Sequence, residues 1–239
     1  MTIESSLTIS RRQCIGAGLA ALTTAAGCSA LQKPCQPSAT AALPWSYPEF
    51  DIEQVRRRGY EFKYEKACMY GVVKAIAVAA AEHNPQWNTL PFDAFYYGRG
   101  GAYLWGTLCG ALNGGLLVLS LGLGDCPQAA DDLMTWYVKA QLPSLKNEEY
   151  CRFKNQPQTI AGSPLCHQSA GRWIKKTGFA INTPERIERC AKLSGDTAAY
   201  VAYILNRALK GEYKAVSLQE PVAECMGCHF GPKSIKCKI

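Results

Sequence analysis

The chain has 239 residues, 26 Lys+Arg against 19 Asp+Glu, 48% hydrophobic residues and 12 cysteines. Its apolar content excludes extended disorder, and a net charge of +7 with no basic block longer than Arg56-Arg57-Arg58 argues against nucleic-acid binding. Cysteine is too sparse for a small disulfide scaffold and too dense for an ordinary enzyme, so it is the feature to explain.

In chain order, Ser10-Arg11-Arg12 precedes an uncharged run from Cys14 to Ala26. Paired arginines before a weakly hydrophobic, Ala/Gly-rich run form a twin-arginine export pattern, a route that carries folded cargo. Residues 1–41 are therefore expected to be a signal, with cleavage after Ala39-Thr40-Ala41 and the mature protein in the periplasm. A lipoprotein site at Gly27-Cys28 is disfavoured, because Ala25 stands where a larger aliphatic residue is expected.

Residues 53–82 have helical spacing, with Ala67, Cys68, Gly71, Val72, Ala75 and Val78 on the inner face and Asn84-Pro85 as the stop. From Gly100 to Gly124 there is no charge, and the length alone would suit a membrane span. Eight glycines, with Gly106, Gly110 and Gly114 at four-residue spacing, favour instead a buried central helix in a water-soluble bundle. Asp125-Cys126-Pro127 predicts the next helix, capped by Asp125 and running to about Ala140. Ser163-Pro164 opens another that stops at Gly178. Thr183-Pro184-Glu185 opens a last helix, weakened at Ser194-Gly195 and ending near Gly211. Long irregular loops are expected at 84–99 and 144–162, with no convincing strands. The fold class is mainly α: a helical domain over 42–211, with a buried Gly-rich central helix and an irregular C-terminal arm over 212–239.

That arm contains Cys225-Met226-Gly227-Cys228-His229, the C-x-x-C-H sequence that attaches c-type haem. The two thiols, Cys225 and Cys228, add to the porphyrin vinyl groups and His229 reaches the iron as proximal ligand. A plain disulfide and half of a zinc site are the competing readings, but no second C-x-x-C pair is present to complete a zinc site. An export signal joined to this motif strengthens the haem reading, because haem is attached outside the cytoplasm. Cys237-Lys238-Ile239 would begin a second motif if Cys-His followed. For the sixth iron ligand the candidates are His83 and His167, with Met69 and Met134 as softer alternatives.

Four further cysteines lie on predicted helices: Cys68, Cys109, Cys166 and Cys190. Converging thiolates would suit an iron–sulfur cluster; disulfides and small core residues are the alternatives, and spacing alone leaves all three open. Ala67-Cys68, the stretch Gly98-Arg99-Gly100-Gly101 followed by Trp105-Gly106-Thr107-Leu108-Cys109-Gly110-Ala111-Leu112-Asn113-Gly114, then Cys166 and Cys190 resemble the redox family named for its C-GCAxxG-C-C pattern. With the twin-arginine leader and the haem motif, residues 45–239 resemble the split-Soret cytochromes c of sulfate-reducing bacteria. This resemblance implies a homodimer with clustered covalent haems and an iron–sulfur centre, of the [2Fe-2S] kind, on Cys68, Cys109, Cys166 and Cys190.

Two departures stand out. Ala67-Cys68-Met69 replaces Gly-Cys-Ala, and one complete haem motif stands where the resemblance implies two, an expectation that makes Cys237 the start of a truncated second motif. The function implied is single-electron transfer with redox partner proteins rather than enzymatic turnover. A haem-dependent reductase of a small oxidised substrate and a disulfide-braced, non-redox envelope protein are the alternatives. Arg99, Arg172 and the C-terminal lysines are candidates for pairing with haem propionates or steering an acidic partner. No transmembrane span is expected in the mature chain.

Overall fold

A computed structural model describes residues 42–211, a bundle of six α-helices. The helices are α1 (Ile52–Glu65), α2 (Cys68–Ala81), α3 (Gly110–Leu123), α4 (Pro127–Lys139), α5 (Cys166–Thr177) and α6 (Pro184–Leu209). The segments expected to be the export signal, 1–41, and the haem-attachment arm, 212–239, lie outside the described residues.

The predicted helix over 53–82 is two helices. Lys66 leaves helical geometry (φ −141°, ψ −71°) and Ala67 is extended, so the chain turns back and Cys68 begins α2. Asp51 starts α1 by accepting from the N–H groups of Glu53 and Gln54, both at 3.0 Å. α1 then runs antiparallel to α6, fastened along its length by Arg56–Asp196, Tyr60–Glu188 and Lys63 to the Ile187 carbonyl.

The two helices approach to backbone contact. A Cβ at Gly59 would lie 2.9 Å from Ala198 Cβ, and one at Gly195 would lie 2.6 Å from the Arg56 carbonyl oxygen. Gly195 is thus a crossing point inside an unbroken α6, and the weakening expected at Ser194-Gly195 does not occur. Close packing compensates for its helix-propensity cost, about 1 kcal/mol relative to alanine.

α2 is almost wholly apolar, and Val72, Val73, Ala75, Ile76 and Ala77 are completely buried. With Leu112 and Val118 of α3, Leu133 of α4 and Val201, Ile204 and Leu205 of α6 they form one continuous core. The central glycine-rich helix is present but begins ten residues later than expected. Gly100, Gly101 and Gly106 have positive φ, as do Ala102, Tyr103 and Leu104, so residues 98–107 form a tight loop rather than helix. Only Gly110 and Gly114 of the expected stripe lie in α3; a Cβ at Gly114 would come within 2.8 Å of the Met69 carbonyl.

The other boundaries shift for local reasons. Cys126, not Asp125, caps α4, with Pro127 in its first turn. α5 starts at Cys166, after the Leu165 N-cap, and ends at Gly178 in left-handed geometry (φ 77°). Thr183 caps α6 through the Arg186 N–H. The loop 84–99 contains 3-10 turns over Pro85–Thr89 and Phe92–Gly98. In 144–162 one strand of a two-residue antiparallel hairpin (β1, Gln141–Leu142; β2, Thr159–Ile160) was missed for its shortness.

These directions give the bundle two distinct ends. Cys68, Cys109, Cys166 and Cys190 begin or nearly begin their helices at one end. At the other, Tyr47 donates to the Leu205 carbonyl at 3.3 Å and Trp87 Nε1 to the Ser46 carbonyl at 2.9 Å. α6 ends at that second end, with Leu209. Among the described residues no helix is long and apolar enough to cross a membrane.

Candidate metal centre

Three of the four candidate cysteines sit at helix N-termini. Cys68 is the first residue of α2, Cys109 is the N-cap of α3 and Cys166 is the first residue of α5. Neither Ala67 nor Leu165 supplies a side-chain cap, so the first N–H groups of α2 and α5 have no capping side chain. Such ends attract negative charge through the helix dipole.

Backbone pairing aligns two of these ends. Leu108 and Leu165 form an antiparallel bridge. The Cys109 N–H donates to the Pro164 carbonyl at 2.9 Å, Cys166 to Thr107 at 2.7 Å and His167 to Gly106 at 3.0 Å. Gly110 lets the third end close in: a Cβ there would collide with the Gly98 carbonyl and lie 3.4 Å from Cys68 Cβ. The glycine following Cys109 is therefore a steric requirement of the site.

Cys190 comes from the second turn of α6 and is buried. It and Cys68 share a thiol hydrogen bond, which holds Cys190 well below the usual thiol range and pushes Cys68 well above it. Burial opposes the Cys190 thiolate, while Arg189, Arg186 and Lys63 support it. Arg186 Nη1 lies 3.5 Å from its sulfur. Burial raises Cys109, offset in part by hydrogen bonding with Tyr137 and by the Ala111 N–H. Burial, then the neighbouring Cys109 and Cys190, push Cys166 up to about 12.

The four thiols thus share one electrostatic neighbourhood, and none is in a disulfide. Among the described residues no group of three His, Cys, Asp or Glu side chains is placed to hold a single metal ion. A two-iron cluster asks less of any trio, since each iron takes two protein ligands. Soft sulfur donors, three helix N-termini and three cations suit such an anionic iron–sulfur unit in chemistry and charge.

Sequence reasoning missed Lys63, Tyr137, Arg186 and Arg189. The two arginines had a visible signal, standing four and one residues before Cys190. Lys63 and Tyr137 come from other helices and reach the site only through tertiary packing. Cys126 and Cys151 lie elsewhere: Cys126 faces Gln128, and Cys151 faces the carbonyls of Glu148 and Phe153.

The two histidine candidates are separated. His167 is exposed beside Cys166, whereas His83 is exposed just past the far end of α2. Fourteen helical residues, about 20 Å, lie between Cys68 and that end. Met69 is shut into the core beneath Gly98 and Met134 is half-buried. Arg99 bonds the Tyr96 hydroxyl and covers its ring, while Arg172 packs on Gly162. Cys225, Cys228, His229 and Cys237 lie outside the described residues.

Comparison with known proteins matches residues 67–204 to the family described as "Putative redox-active protein (C_GCAxxG_C_C)", a span that contains all four cysteines. A split-Soret cytochrome c from Desulfovibrio desulfuricans (strain ATCC 27774 / DSM 6949 / MB) is 27% identical over 199 residues, covering 79% of this chain and 71% of that protein. The solved structure of split-Soret cytochrome c from Desulfovibrio desulfuricans ATCC 27774, described as having a novel iron centre, is similar with a TM-score of 0.73 and 26% identity. That match covers 82% of this chain and 86% of the other.

Proposed function

Because the chain belongs to the redox-active C_GCAxxG_C_C family, we propose that it passes single electrons between iron held by Cys68, Cys109, Cys166 and Cys190 and a covalent haem c on Cys225 and Cys228. Its likeness to a cytochrome supports the coarser statement plainly: this is a redox protein of the electron-transfer kind. The observation that carries the finer reading is the meeting of four cysteines with three helix N-termini and three cations at one end of the bundle.

Iron bound there supplies a one-electron couple. The protein's own groups set its surroundings. Lys63, Arg186 and Arg189 balance the thiolate charge, and the N-termini of α2, α3 and α5 turn donors and positive dipole ends toward it. Burial of Cys109 and Cys190 strengthens these interactions at their sulfurs. The same groups would stabilise extra negative charge on such an iron–sulfur unit.

For the arm, His229 is the proximal ligand in this reading. His83 stands at the end of the bundle from which the arm departs, so it is the distal candidate with the shorter reach; His167 belongs to the cysteine end. Export by the twin-arginine route to the periplasm fits this division: the helical domain folds and takes up iron first, and haem is attached to the arm outside the cytoplasm. A homodimer, a [2Fe-2S] cluster and a second haem beginning at Cys237 belong to the same proposal.

Alanine at both Cys225 and Cys228 tests the division. After maturation of the full chain in a periplasm with haem-attachment machinery, the double variant carries no covalent haem by acid extraction. Its non-haem iron per chain and helical content equal those of the parent. Covalent haem retained in the variant, or iron lost together with the haem, contradicts two separate centres.

A further inference from the structure

A surface cavity of about 410 Å3 opens between α1, α4, β1 and α6, away from the cysteines. Its volume falls in the range of about 300–1,000 Å3 common to small-molecule sites. One wall is aromatic: the rings of Trp136 and Tyr200 stack at 4.3 Å and 8°, and Tyr203 lies 5.6 Å beyond Tyr200. Ile52 and Leu142 add apolar surface. A flat ring suits such a wall, since aromatic faces attract one another in offset stacks.

The polar groups narrow the ligand further. Asp196 is already engaged by Arg56, by the N–H and hydroxyl of Ser144, and by Asn147. It has little accepting capacity to offer a ligand. Donor capacity remains at Lys146 and Tyr203. The Lys146 ammonium is exposed, with Glu53 4.0 Å away. The Tyr203 hydroxyl accepts from Arg207 at 3.1 Å and keeps its own proton to give. What fits is a planar ring bearing acceptor oxygens, neutral or anionic.

Connectivity supplies a reason for such a ring to be there. Trp136 is bonded through one peptide to Tyr137, whose hydroxyl reaches the Cys109 sulfur and donates to Ser169 at 2.8 Å. This path links the Trp136 wall to Cys109 through one peptide bond and the Tyr137 ring. We propose that the cavity binds a quinone-class ring and is the place where that ring exchanges electrons with the cysteine centre. In one exchange the ring gains a single electron as cysteine-held iron loses one; no bond forms or breaks, and Lys146 faces the added charge. The electron step rests on the iron reading above, whereas the binding does not.

The test is calorimetric titration of the full, matured chain with lawsone, an anionic naphthoquinone, with iron measured on the same sample. One molecule binds per chain. Lys146→Glu, a surface change, weakens it at least fivefold. Trp136→Leu weakens it roughly tenfold, the worth of one aromatic stack, and Trp136→Phe restores most of the affinity. Absence of saturable binding, or unchanged affinity in Lys146→Glu, overturns the proposal. Either result on a sample that contains iron leaves the iron reading in place.

Discussion

Replacing Cys190 with alanine lowers non-haem iron at least tenfold while covalent haem on the arm is unchanged. Among the four candidate ligands Cys190 is the one pushed toward the thiolate, through the Cys68 hydrogen bond and the cations Arg189, Arg186 and Lys63. A thiolate, not a thiol, binds iron, so it is the ligand that is ready before the metal arrives. Its removal also leaves Arg189, 2% exposed, without that anion. Uncompensated buried charge costs about 3–5 kcal/mol, so the iron-free alanine variant is less stable than the iron-free parent. Cys190→Ser separates ligation from packing: the hydroxyl fills the space and bonds Cys68 but does not ionise, so iron is lost with a smaller loss of stability. Iron assays with urea unfolding of both variants decide this. Full iron occupancy in Cys190→Ser would remove Cys190 from the ligand set.

The second large effect concerns stability alone. Asp196→Ala destabilises the helical domain by about 3–5 kcal/mol in urea unfolding. The carboxylate is 1% exposed and accepts from Arg56 at 2.5 Å, Ser144 N and Oγ at 2.7 and 2.6 Å, and Asn147 at 3.0 Å. Alanine leaves Ser144 and Asn147 without their acceptor and Arg56 with Glu53 alone; all four donors come from outside α6, so the α1–α6 contact and the 144–147 turn loosen together. Asp196→Asn keeps the shape but turns an amide N–H₂ toward donors, and recovers only part of the loss. Position 196 is six residues, about 9 Å, from Cys190 along α6. Folded Asp196→Ala therefore keeps its iron. A loss below about 1 kcal/mol would mean that Glu53, which also bonds Arg56 at 2.8 Å, is enough to compensate the buried guanidinium.

What could be read from the sequence follows what is local. Pro184 after Thr183, and Gly178 after Thr177, mark helix ends by backbone chemistry that needs no partner, and both hold. The break at Lys66-Ala67 carries no glycine or proline; it exists because α2 must turn back along α6, a tertiary demand. Glycine proved ambiguous. Gly106 and Gly110 share a four-residue spacing, yet one serves a left-handed turn and the other a close helix approach, and spacing cannot tell these apart. For the site, the four cysteines were legible as types. Their convergence was not, because it depends on the Leu108–Leu165 bridge and on the antiparallel run of α1 against α6. Lys63 and Tyr137 were invisible for the same reason, being supplied across the bundle by residues that are unremarkable in their own helices.

The measurement that tests the central claim most directly is haem and non-haem iron per chain, with an optical spectrum, on full-length protein matured in a periplasm. The account predicts covalent haem together with non-haem iron, the iron lost in Cys190→Ser and the haem lost when Cys225 and Cys228 are both alanine. Protein that carries neither, with its cysteines recovered as disulfides, would contradict it.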